Sequence, residues 1–156
     1  MNVTDGVEDS MTPEMAVAAA SAIHPMISIM EVSGGIQDRV CKLGTARTGK
    51  AQGFYYEKEA RLIREAVGQD IILTGTGGFR TQEHIEAQLK PQGVLDMVAP
   101  GRPFLRNPSW LCDLEDSGAP SKCINCNGCF RWFAAPETSA RGTCIVREKL
   151  RALGKE

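Results

Sequence analysis

The chain is 156 residues long, 42% hydrophobic and 24% charged, values close to globular averages and sufficient for one ordinary domain with its own core. That length excludes a long multidomain architecture, and the composition excludes a disordered tail, a collagen-like repeat or a membrane protein. Eighteen basic against nineteen acidic side chains leave a net charge of -1, so no global electrostatic pull toward nucleic acid or anionic lipid is expected.

The longest apolar stretch, Met15 to Ile23, is too short to cross a bilayer, and the polar opening lacks a basic segment followed by an apolar one. The expectation is neither a secretory signal nor a membrane span. In the cytoplasmic setting this implies, the six cysteines point to thiols or metal ligands more than to disulfides. The sequon Asn2-Val3-Thr4 carries no weight there.

Thr12, Pro13 and Glu14 make a helix start, a capping hydroxyl with proline at the first helical position, and the alanines of Met15 to Ala22 continue it. After His24-Pro25, the run from Met26 to Val32 predicts a buried strand ending at Ser33-Gly34-Gly35. Ile36 to Phe54 is polar and aperiodic and reads as a long loop, a feature that in compact domains often lies near a site. Ala60, Leu62, Ile63, Ala66 and Val67 recur near helical spacing, predicting a helix over Glu57 to Val67. A strand follows over Asp70 to Thr74, a glycine-rich turn over Gly75 to Arg80, a helix over Thr81 to Lys90 and a strand over Val94 to Ala99.

This alternation predicts an α/β fold with parallel strands and right-handed crossovers. From Gly101 onward the pattern weakens into loops bearing Pro, Asn and Cys, with a last helix over Ile145 to Leu153. No internal repeat or low-complexity tract is apparent.

Gly75-Thr76-Gly77-Gly78-Phe79-Arg80 joins a strand to a helix, where missing Cβ atoms let backbone amides approach an anion and the helix dipole favours negative charge. The alternative is a tight turn that needs positive φ. A dinucleotide fingerprint fits poorly, because Arg80 stands where its final glycine belongs. Gly101-Arg102-Pro103, just past the next strand, sets a bare amide beside a guanidinium suited to bidentate phosphate binding; the plainer reading pairs Arg102 with a carboxylate. Two successive strand ends with anion-binding chemistry match the layout of (β/α)₈ barrels, whose phosphate sites use the loops after strands seven and eight.

Asn2-Val3-Thr4-Asp5-Gly6, Glu31-Val32-Ser33-Gly34-Gly35, Thr76-Gly77-Gly78-Phe79-Arg80, Asp96-Met97-Val98-Ala99-Pro100-Gly101-Arg102-Pro103 and Asn107-Pro108, in that order, resemble the old yellow enzyme family. These are FMN-dependent NAD(P)H:flavin oxidoreductases built on a (β/α)₈ TIM barrel. The resemblance covers only the family's C-terminal half. It implies that residues 1–111 are that half, with the three strands as barrel strands six to eight and the first residues as the end of strand five. It further implies that Gly77, Gly78, Gly101 and Arg102 hold the FMN phosphate, with Phe79 and Arg80 flanking it. The family's substrate-binding His or Asn pair and its proton-donating Tyr have no counterpart in these residues. Length agrees, since such a barrel needs roughly 250 residues and seldom fewer than about 200. The expectation is therefore a half-barrel fragment or truncated product, with little ene-reductase turnover alone, or one completed by a complementary half-barrel or a second copy of itself.

Cys123, Cys126 and Cys129, with Cys144 farther on, have a spacing suited to metal or iron-sulfur ligation within a C-terminal segment 112–156. The loop resembles the one that holds a [4Fe-4S] cluster in trimethylamine dehydrogenase and dienoyl-CoA reductase. Zinc satisfies four thiolates equally well, and free thiols are the bland alternative. A non-catalytic metal-binding subunit is accordingly the rival to the oxidoreductase reading. Cys41 and Cys112 are isolated and read as semi-buried thiols. His24 and His84 fall away from strand ends and read as structural or solvent-facing, and Trp110 and Trp132 read as packing residues.

Overall fold

The computed structural model describes residues 1–4, 8–35, 53–130 and 143–155. The predicted loop from Ile36, together with Cys41 and Trp132, falls outside the described residues except at its end, Gly53 and Phe54. Within them the chain is a mixed α/β structure with helices on a small parallel sheet of three strands.

The first helix, α1, spans Pro13–Ile23. Thr12 is extended and its hydroxyl accepts the Met15 amide at 3.3 Å, while Pro13 occupies a position whose N–H would have had no helical partner. Ala16 and Ala20, one turn apart, are buried against the core. A single 3₁₀ turn, His24–Met26, comes next, so the strand begins later than its composition suggested. Pro25 explains the shift: its fixed φ and missing N–H suit a first helical turn and not a paired strand.

Strand β1 covers Ile29–Val32, β2 Ile72–Gly75 and β3 Met97–Val98, in spatial order β1-β2-β3 and all parallel. The register places Ile29 beside Ile72, Glu31 beside Thr74, and Thr74 beside Met97. Residues 1–3 extend the ladder past β1: Asn2 bridges Ser33 in parallel, with Val3 N–H on the Ser33 carbonyl at 2.9 Å and Ser33 N–H on that of Met1 at 3.0 Å. β1 is buried on one face only, Met30 and Val32 pointing to the core while Ile29 and Glu31 are exposed. The expectation of a buried strand therefore holds for one face only, because the helices cover a single side of the sheet.

That side is closed by α1 and by α2, Glu57–Val67, which lie against each other. Ala60, Ile63 and Val67 form the buried stripe of α2, whereas Leu62 faces out. Glu57 pairs with Arg61 at 2.8 Å and accepts from Gln88 Nε2 at 2.9 Å, joining α2 to α3, Gln82–Leu89. At the amino end of the sheet, Arg64 donates to the carbonyls of Gly68 at 2.9 Å and Ile71 at 3.0 Å and pairs with Asp96, whose carboxylate also accepts the Leu73 amide at 2.7 Å.

After β3 the chain forms two short helices where loops were expected: α4, Gly101–Arg106, and α5, Trp110–Ser117. Pro103 is tolerated because it sits in the first turn of α4. Trp110 and Leu114 bury one turn apart on α5, and the Trp110 ring meets Phe104 edge-on at 5.7 Å, as a packing role for that tryptophan requires. The last helix, α6, covers Ile145–Ala152 and seats Ile145 on Gly128, where any Cβ would overlap it.

Candidate functional site

The three strands are parallel, so Ser33–Gly35, Thr76–Arg80 and Pro100–Pro103 emerge at one end of the sheet. They line a cavity of about 560 Å³, well within the size range of small-molecule sites. Gly77, Gly78, Phe79, Arg80, Gly101 and Arg102 all border it. The two strand-end motifs, 20 or more positions apart in sequence, thus share one pocket, the place where open parallel sheets and barrels bind ligands.

The six do not play equal parts. Gly77 and Gly78 have φ of +118° and +94°, conformations that glycine alone adopts without strain. Their bare Cα atoms are used by the chain itself. The Tyr55 ring lies 3.0 Å from where a Cβ on Gly77 would stand and 2.9 Å from one on Gly78, and the Gly53 carbonyl occupies the remaining space over Gly78. Phe79 is a core residue, stacked on Phe54 at 5.4 Å. Gly101 and Arg102 open α4, where backbone amides have no intrahelical acceptor.

Both arginines are tied to the cysteine-bearing segment. Arg80 Nη1 donates to the Cys123 carbonyl at 3.1 Å, and Ser121 N–H donates to the Arg80 carbonyl at 2.7 Å. Arg80 Nε is buried and has no hydrogen-bond partner among the described residues. Arg102 Nη1 donates to Asn127 Oδ1 at 2.7 Å and its Nη2 lies 3.5 Å from the Tyr55 hydroxyl, which accepts from Asn125 Nδ2 at 2.9 Å. Among the described residues no carboxylate pairs with Arg80 or Arg102, so the plainer reading of Arg102 as half of a salt bridge does not hold there.

Tyr55, Tyr56, Asn125 and Phe130 also line the cavity, and sequence reasoning passed over them. Tyr56 is fixed by its hydroxyl on the Gly34 carbonyl at 2.8 Å. Asn125 and Asn127 did carry a signal: they alternate with Cys126 and both have φ near +55°, a region asparagine enters more readily than most residues.

Cys123, Cys126, Cys129 and Cys144 border a second, much smaller cavity of about 20 Å³ next to Arg102. Chain separation notwithstanding, all four predicted ligands converge on it. They share a cavity wall without forming a coordination sphere: among the described residues no group of three His, Cys, Asp or Glu side chains is set to hold a metal ion. Zinc, with four thiolates about 2.3 Å from one point, demands tighter convergence than this. Cys123 Sγ instead approaches Asn125 Oδ1 at 3.8 Å. Burial pushes the Cys129 thiol above its ordinary pKa, while the Arg102 charge draws it back down.

Cys112 is exposed on α5, which corrects its reading as semi-buried. Neither histidine reaches the pocket: His24 is half-buried, with Nδ1 3.0 Å from the Ser21 carbonyl, and His84 lies on α3 with Nδ1 buried and unpartnered among the described residues. Among the described residues no helix is long and apolar enough to cross a membrane. No family model and no curated protein sequence matches the chain.

Proposed function

We propose that the larger cavity holds flavin mononucleotide by its phosphate and that the chain forms the C-terminal arc of an FMN-dependent oxidoreductase barrel. The observation that carries this reading is the convergence of Arg80 and Arg102, from the ends of adjacent parallel strands, on one pocket of suitable volume. Guanidinium groups are matched to a dianionic phosphate in charge and in fork geometry. Arg80 has a buried N–H still lacking an acceptor among the described residues, a costly condition that an anion would relieve. Tyr55, Tyr56 and Phe130 supply flat apolar surface beside the charged end.

The uncovered sheet face supports the barrel reading. Ile29, Ile72 and Met97 share that face and are 55%, 40% and 52% exposed, where a closed barrel would turn them inward. When bound, the flavin supplies hydride transfer between a reduced nicotinamide and an electrophilic acceptor. The residues described here bind and orient it, and turnover requires the substrate-binding and proton-donating side of the barrel from elsewhere.

Titration with FMN and riboflavin, followed by quenching of flavin fluorescence, tests this reading. FMN should bind at least about tenfold more tightly than riboflavin, and Arg102→Ala should remove most of that difference. Equal affinities for the two flavins would contradict it.

A rival reading, a metal-binding subunit without catalysis, would need the four cysteines around the small cavity to draw closer together than they stand. It predicts a colourless protein that retains zinc and shows no preference for FMN.

A further inference from the structure

We propose that the cysteine-bearing loop is a positioning wall of the anion pocket, in which Asn127 aims Arg102, and the Cys123 carbonyl aims Arg80, at a phosphomonoester. This inference rests on the reading of the pocket as a phosphate site and adds to it the residues that hold the two cations.

An arginine side chain has several rotatable bonds, and fixing its head group in advance removes an entropic cost from anion binding. Here Arg102 is held on both sides, Nη1 by Asn127 and Nη2 near the Tyr55 hydroxyl. The hydroxyl is held in turn by Asn125. A guanidinium has five N–H donors, and these contacts engage only two of them among the described residues. Among the described residues Arg80 is anchored through Nη1 alone, its Nε still unsatisfied.

Asn125 and Asn127 are 1% and 8% exposed, which buried amides tolerate only when their polar atoms are bonded. The amide chemistry at 127 is telling. A carboxylate there would accept the same hydrogen bond and tolerate the same left-handed backbone, but it would neutralise the charge that a phosphate needs. An amide orients the cation and leaves its charge available. Gly128 then lets Ile145 of α6 clamp the loop from behind.

Asn127→Asp is the discriminating variant, with Asn127→Gly, which also accepts positive φ, as the second. Each is titrated with FMN, riboflavin and inorganic phosphate, and its thermal unfolding is recorded. The aspartate variant should unfold no earlier than the parent, bind riboflavin equally well, and lose about tenfold or more in affinity for FMN and for phosphate. The glycine variant should lose phosphate affinity in the same sense, because Arg102 is no longer aimed. If the parent prefers FMN over riboflavin and both variants retain that preference in full, the positioning role is overturned and the phosphate site stands. Equal loss for FMN and riboflavin would also overturn it, by showing a structural role only. If the parent itself shows no preference for FMN and no affinity for phosphate, the site and the inference fall together.

Discussion

The carbonyl group of Gly53 occupies the space into which a Cβ on Gly78 would project. The glycine pair after β2 is therefore required by the chain's own packing, with the Tyr55 ring alongside, whatever the pocket binds. Gly78→Ala combines this overlap with a φ of +94°. It should destabilise the fold by about 2–4 kcal/mol, read as a lowered midpoint in urea unfolding, before any effect on ligand. An unchanged midpoint would mean that the Gly53–Phe54 segment does not pack there.

Arg64 and Asp96 fasten α2 to the amino end of the sheet, opposite the pocket. The Arg64 side chain is only 11% exposed but that of Asp96 is 44%, so solvent screens part of the pair. Arg64→Ala strands the carbonyls of Gly68 and Ile71 as well as the carboxylate, and should cost about 1–3 kcal/mol of stability. The ratio of FMN to riboflavin affinity should not move. A change in that ratio without loss of stability would contradict the placement of this pair away from the site.

In the metal-free chain, burial favours the neutral thiol of Cys129 and the neighbouring Arg102 charge opposes it. Alkylation at mildly alkaline pH should therefore label exposed Cys112 before Cys129. Arg102→Ala removes the opposing charge, raises the Cys129 pKa further and slows its labelling at fixed pH. Because the folded pKa lies above the unfolded one, the contribution of this thiol to stability is intact below the ordinary thiol pKa and declines as pH rises through the folded value. Mass-spectrometric labelling rates across that range check both signs.

The helices and strands up to β3 were legible because each follows local rules. Thr12 caps α1 as its sequence signature predicts, and α2 has the predicted limits, Glu57–Val67. What escaped depends on contacts between distant residues. α4 and α5 are short, and the apolar pattern that organises them, Phe104 against Trp110, spans two elements. Exposure on β1 was unreadable from its run of apolar residues, since burial is decided by whether a second layer covers the sheet. The pocket followed the same division. Its glycines and arginines announce themselves at strand ends, whereas Tyr55 and Asn125 join it, and Asn127 reaches Arg102 beside it, only through contacts 25 to 70 residues apart in the chain.

A crystal structure of the chain with FMN bound tests the phosphate site most directly. The phosphate is expected at the ends of β2 and β3, within hydrogen-bonding distance of both Arg80 and Arg102, and with Asn127 still holding the second of these. A phosphate lodged elsewhere, or turned toward solvent with the two guanidinium groups facing apart, would contradict it.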